Sequence, residues 1–256
     1  MNKWIRTFSI LALITVVALL GLSEYAMHQR PGDSSVSKAN KVPDDKADLY
    51  QKYKNLGLTD VHNHDAWKYP RSLSVWNKYH IAKIVLFGSV SNRAALKTDR
   101  MSWNAYRKYP ERIYPFFSGF DMYQPEGLQT VRDNLEQGYL GIGETYAASS
   151  NTPGADKREW KGKNAMDGNL PKIYEICSEY DVPILLHIDP PDGIQLTKLK
   201  EALENYPKTK IIFAHANVYN PAAVIDALME NHPNLYIDFF AGFTSYNPKS
   251  PYTTDS

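Results

Sequence analysis

Seven short runs rich in β-branched and aromatic residues, each separated from the next by a stretch long enough for a helix, set the limits on how this chain can fold. The runs are Gly57 to His62, Ile81 to Gly88, Ile113 to Phe120, Tyr139 to Glu144, Val182 to Ile188, Lys210 to Ala216 and Leu235 to Ala241. Between them lie helical patterns, clearest in Leu170 to Tyr180, Leu196 to Asn205 and Ala222 to Asn231. Strands alternating with helices build a parallel sheet, because a parallel strand can follow its neighbour only through a crossover. Seven such units require a barrel or a long open sheet.

The histidines decide between the two. Of seven in the chain, His62, His64, His187 and His215 fall at the C-terminal ends of the first, fifth and sixth expected strands. In a β/α barrel those ends converge on one mouth, whereas an open doubly wound sheet strings them along a line. No glycine-rich phosphate loop follows the first strand. The expectation is therefore an α/β fold of the (β/α)8 TIM-barrel type, with seven strands recognisable and the eighth absent from this chain. About 230 residues remain once the N-terminal stretch is set aside, which fits one barrel better than two domains.

Thr59-Asp60-Val61-His62-Asn63-His64 puts two histidines two positions apart at a strand end. Strand side chains alternate with period two, so both leave on the same side and can chelate one metal. The fourth run ends Gly141-Ile142-Gly143-Glu144, a carboxylate behind two glycines that permit close approach. The fifth and sixth read Pro183-Ile184-Leu185-Leu186-His187-Ile188-Asp189 and Ile211-Ile212-Phe213-Ala214-His215. Apolar runs of this kind suit strands buried on both faces, so the polar residue at each end is the exception that asks for a role. A single such histidine would be read as a core residue satisfied by a backbone carbonyl; four converging on one mouth point to a shared metal site. Asp189 shares the side of His187 and is placed to orient it or touch substrate. Asp60 is expected to brace the first strand end, and Asp238 is left between a structural and a substrate role. The stretch from Thr145 to Ala165, with Lys157, Arg158 and Trp160, is long for a βα connection and is the candidate substrate lid.

The order His-x-His, Gly-x-Gly-Glu, Pro-x-x-x-His and Ile-x-x-x-His resembles the amidohydrolase superfamily, and most closely its amidohydrolase-related branch, over about Leu56 to Phe243. Met166 to Pro171 and Asn231 to Asp238 carry further likeness to that branch. The resemblance implies that His62, His64 and His187 ligate a divalent transition metal, zinc before others, with Glu144 a further ligand or a group beside it. It implies that His215 binds the metal or polarises substrate, so that Glu144 and His215 are the expected catalytic pair; Asp189, by its place on the strand, and Trp160, by its place in the long loop, are expected with His215 to face substrate. The implied activity is hydrolysis of an amide, lactone or ester bond of a small molecule by metal-activated water. Non-oxidative decarboxylation on the same fold, and a membrane-tethered barrel that binds without turnover, are the alternatives. In the family the base is usually an Asp after an eighth strand. Here Gly242 to Ser256 form neither strand nor helix by pattern, so the chain continues beyond Ser256, or Glu144 serves as base, or the protein does not catalyse.

At the other end, Lys3 and Arg6 precede the apolar run Phe8 to Leu22, the layout of an export signal. Residues 1–23 are read as a signal peptide or a retained membrane anchor, 24–47 as a polar linker with Pro31, Gly32 and Pro43, and 48–256 as the barrel. The protein is expected to be exported, anchored on the extracytoplasmic side or released if the signal is cleaved. A net charge of +1 gives no whole-chain attraction to nucleic acid, so the expected partner is a small-molecule substrate. The single cysteine, Cys177, excludes an intramolecular disulfide and a cysteine-built zinc site, leaving metal binding to His, Asp and Glu.

Overall fold

The structure, a computed structural model, describes Lys52, residues 55–150 and residues 155–239. The N-terminal signal or anchor, the linker and the stretch after Ala241 lie outside the described residues. Among those described, no helix is long and apolar enough to cross a membrane.

Seven strands run parallel in strict chain order: β1 (Leu58–Asn63), β2 (Ile81–Leu86), β3 (Ile113–Phe117), β4 (Gly141–Ala148), β5 (Ile184–Ile188), β6 (Ile211–Phe213) and β7 (Leu235–Ile237). The connecting helices are α1 (Tyr69–Lys78), α2 (Ala95–Lys108), α3 (Pro125–Gln137), α4 (Leu170–Glu179), the single turn α5 (Asp192–Gln195), α6 (Thr197–Asn205) and α7 (Ala222–Asn231). Proline opens α1, α3 and α4 within the first two positions, where a missing N–H costs nothing. Gly138, with φ of 112°, ends α3 in the left-handed conformation that glycine adopts without strain.

Alternation along the strands sorts the core into two layers. Ile184, Leu186 and Ile188 face the helices with Ile142, Phe213, Ile173 and Leu199. Leu185 faces inward with Phe87, Phe116, Tyr146 and Ala214. His187 follows Leu185 by two positions and so shares the inward face at the mouth. Both layers are closed around β4 and β5, every residue of which is buried, as expected of central parallel strands.

The sheet curls. In a flat sheet, strands about 4.8 Å apart would hold β1 and β7 roughly 29 Å from each other. Instead His62 Nδ1, on β1, lies 2.8 Å from Asp238 Oδ2, just past β7. Among the described residues the arrangement is a barrel wall of seven strands in which β1 and β7 are not paired with each other.

Strand bounds differ from the sequence reading in two places that matter. β4 runs on to Ala148, four residues beyond its expected end, because Thr145, Tyr146 and Ala148 pair with Leu186, His187 and Ile188 of β5. Most of the first turn of the expected lid is therefore buried strand. β6 stops at Phe213, before its expected end at Ala216, because His215 takes a φ of 39° and leaves the ladder.

Candidate metal centre

The strand ends β1, β4, β5 and β6 deliver His62, His64, Glu144, His187 and His215 to one cavity of about 680 Å³, also lined by Thr59, Val61, Tyr146, Ile237 and Asp238. A recess of about 800 Å³ lies between α6 and α7, lined by Leu203, Val224 and Leu228 among others, and holds none of these donors.

Local irregularities aim the side chains. The β1–β2 register shifts between Asp60 and Asn63, and the β4–β5 register between Ile142 and Thr145, so His62 and Glu144 both sit in bulged segments. Bulges next to sites re-aim side chains in this way. Asp60 braces the first of them: one carboxylate oxygen accepts the His62 N–H at 3.1 Å and the other accepts from Asn63 Nδ2 at 2.7 Å. Beside Glu144, Gly143 lets β4 lie close to its neighbours. A Cβ there would stand 2.8 Å from Ser118 Oγ and 3.0 Å from the Phe87 ring. Gly143→Ala is expected to cost about 1–3 kcal/mol of stability by overpacking, read as a lower midpoint in denaturant unfolding with an unchanged slope.

Glu144 is the hub. Buried, it directs Oε1 to His187 Nδ1 at 2.7 Å and His215 Nε2 at 3.1 Å, and Oε2 to His64 Nε2 at 3.3 Å and His62 Nε2 at 3.8 Å. Two donor triads result, His62–His64–Glu144 and Glu144–His187–His215, each with its ligand atoms within 4.8 Å of one another. Tetrahedral ligands at about 2.1 Å from zinc lie about 3.4 Å apart. The 3.1 Å between His62 Nε2 and His64 Nε2 and the 3.3 Å from His64 to Glu144 approach that spacing. Imidazole nitrogens with a carboxylate oxygen and no thiolate suit zinc, manganese, iron or nickel. The residues present fit a divalent transition metal.

The outer nitrogens are held as metal-ligating histidines require. His64 Nδ1 donates to the Gly88 carbonyl at 2.8 Å, His62 Nδ1 faces Asp238 at 2.8 Å, and His187 Nε2 faces Asp189 Oδ2 at 3.2 Å. Asp189 is fully buried and also accepts from Ser149 Oγ and the Ser150 N–H. Charge is concentrated here. Burial alone would raise the Glu144 carboxyl, yet His187, His215 and His62 hold it well below the usual range. Burial would likewise depress His62, but Asp238 and Glu144 outweigh it and hold the imidazolium up at about 10. For His187, burial again opposes, and Asp189 and Glu144 raise it to about 9.

Four of the expected residues and Glu144 thus meet at one point. Asp189 touches His187 but does not line the cavity, and Trp160, half-buried, bonds Ser91 through its backbone N–H and does not line it either. Sequence reading passed over Tyr146, whose ring stacks on His187 at 4.2 Å and carries the Arg158 guanidinium 5.4 Å from its centre. Its signal was present in the alternation, since Tyr146 follows Glu144 by two positions on the same face.

The sequence profile of the amidohydrolase family matches residues 59–255, which takes in every residue of the cluster. The chain belongs to the amidohydrolase family. A solved structure shares the fold, and others match at lower similarity. An uncharacterised TIM-barrel protein from Bordetella bronchiseptica is 14% identical with a TM-score of 0.51, over 75% of this chain and 67% of that one. A dihydroorotase from Campylobacter jejuni is 18% identical over 72% of this chain and 54% of its own, with a TM-score of 0.45. A dihydroxybenzoic acid decarboxylase from a Polaromonas species, with bound manganese, is 14% identical over 62% and 64%, with a TM-score of 0.38. This amidohydrolase chain therefore spans about half of the dihydroorotase and about two thirds of the other two. No curated protein matches it.

Proposed function

We propose that the chain is a metal-dependent hydrolase of a small-molecule amide, lactone or ester bond. The observation that carries this is Glu144, whose two oxygens each face a separate set of histidines at the mouth. His62, His64, His187 and one oxygen of Glu144 would hold the ion, zinc or another divalent transition metal. When bound, such an ion lowers the pKa of a coordinated water toward about 7 and polarises a carbonyl oxygen.

The protein's own groups supply the rest. A carboxylate with two separately placed oxygens can ligate through one and move a proton at the other, so Glu144 takes the proton of the attacking water at Oε1 and returns it to the leaving group. His215 Nε2, 3.1 Å from Oε1, faces the same space and donates to the substrate oxygen as negative charge builds there. Asp189 holds the far nitrogen of His187, and the stacked Tyr146 keeps that ring in plane. Burial, with Glu144 adding to it, pushes the Tyr146 phenol up to about 12, so it lines the cavity as a neutral donor. The basic and then apolar N-terminus supports an exported protein, anchored or released, acting on a small molecule outside the cytoplasm.

Elemental mass spectrometry of the purified protein, beside a His62→Ala/His64→Ala double variant, tests the reading. At least one transition-metal ion per chain is expected, falling in the double variant, with turnover on a panel of amides, lactones and esters abolished in parallel. A folded protein that holds no metal in either form overturns it.

A further inference from the structure

We propose that Asp238 is the positioning residue of this centre: it fixes the His62 ring with Nε2 turned inward and locks that ring to the His215 backbone across the unpaired side of the barrel. The inference rests on the metal-dependent reading above. Asp238 follows β7 directly and is 6% exposed. Its Oδ2 lies 2.8 Å from His62 Nδ1, 176 residues away in sequence. Its Oδ1 accepts the backbone N–H of His215. Both oxygens are therefore engaged, one by a ring and one by backbone, which is the role of a holder.

The carboxylate is itself held stiffly. The Asp238 N–H donates to Phe213 O at 3.1 Å, and the Asp238 carbonyl accepts from Ala216 N–H at 3.1 Å, so its backbone is latched to the end of β6 and to the turn after it, on both sides of His215. His215 between them stands at φ 39°, a left-handed conformation rare for a residue with a side chain, and the Asp238 bond to its N–H is one of the contacts that hold it there. On the other side, β1 is an edge strand with Leu58 and Val61 exposed, and it pairs only with β2 among the described residues. The His62 ring packs against Phe87, His64 and His215, contacts that do not distinguish its two nitrogens. A carboxylate on Nδ1 makes that distinction and presents Nε2 to His64 Nε2 at 3.1 Å and Glu144 Oε2 at 3.8 Å. One side chain thereby sets a donor of the first triad and the backbone of a donor of the second.

The test compares the full chain with Asp238→Ala and Asp238→Asn by two measurements. Zinc affinity is read by competition with a chromophoric chelator. The His62 Nδ1–H is followed in metal-free, histidine-labelled protein as a low-field ring proton protected from solvent exchange, which a general loss of packing elsewhere would not remove. Asp238→Ala is expected to lose the protected proton and to bind zinc about 10–100-fold more weakly. Asp238→Asn, whose amide oxygen still accepts from Nδ1–H, is expected to keep a shifted ring proton and fall between the two, which also covers an alanine variant that fails to fold. Zinc affinity within twofold of wild type in both variants overturns the proposal. So does an unchanged His62 ring proton in the alanine variant, whatever the affinity. A wild-type chain that binds no zinc would sink the hydrolase reading and leave the ring proton to decide the role of Asp238.

Discussion

Glu144→Gln is expected to lower kcat/KM by about 10³-fold or more and to strip most of the bound metal, with the fold retained. The amide keeps the shape of the carboxylate but loses its charge, its second acceptor and its ability to carry a proton, and Glu144 is the only group shared by both donor triads. Loss of a positioned acid–base group alone is worth about 10²–10⁴-fold. Loss of a shared anionic ligand adds to that. Metal content by elemental analysis and turnover measured on the same preparation check the result. A glutamine variant that keeps its metal and more than a tenth of its activity would remove Glu144 from the centre of the mechanism and move the proton to another group.

The metal-free protein is expected to lose stability as pH rises from about 6.5 to about 10, and bound metal is expected to abolish that loss. The sign follows from the histidines. His62 is held up at about 10 and His187 at about 9, both above the 6.5 of an unfolded chain. Groups raised on folding contribute stability that is fully present below 6.5 and lost as pH passes through the folded values. Each pH unit is worth 1.36 kcal/mol, so the two rises together correspond to a fall of up to about 8 kcal/mol for this cluster. Glu144, held below its ordinary range, works in the other direction: its contribution is present above about 4.5 and lost in acid. The metal-free protein should thus be most stable between about pH 4.5 and 6.5. Metal binding must displace the protons on His62 and His187, so zinc affinity should climb with pH across the interval in which apo stability falls. Denaturant unfolding from pH 4 to 10, with and without zinc, reads both trends. A metal-free stability that is flat from pH 6.5 to 9 would show that the two histidines are neutral in the folded chain.

Much of this was legible in the chain because parallel strands and helices leave strong local marks. Runs buried on both faces, such as Ile184 to Ile188, read as continuous apolar segments, and the histidine closing the run then stands out. Period-two alternation alone placed His62 with His64 at one strand end, and the barrel rule placed His187 and His215 beside them. The helices Leu170–Glu179, Thr197–Asn205 and Ala222–Asn231 were marked by their spacing to within a residue at each end. Those of the first half, such as Tyr69–Lys78, were less distinct.

What the sequence by itself determined, then, is the order of strands, the single mouth and the identity of the donors at its rim, because each of these depends on residues a few positions apart. The tertiary structure decided what depends on distant segments meeting. It decided that Glu144 divides its oxygens between two histidine sets, that β4 continues to Tyr146 and stacks it on His187, and that Asp238 reaches His62. No local pattern encodes the 2.8 Å between residues 62 and 238. It follows from the accumulated curl of seven strands, a property of their packing together that no one of them carries alone.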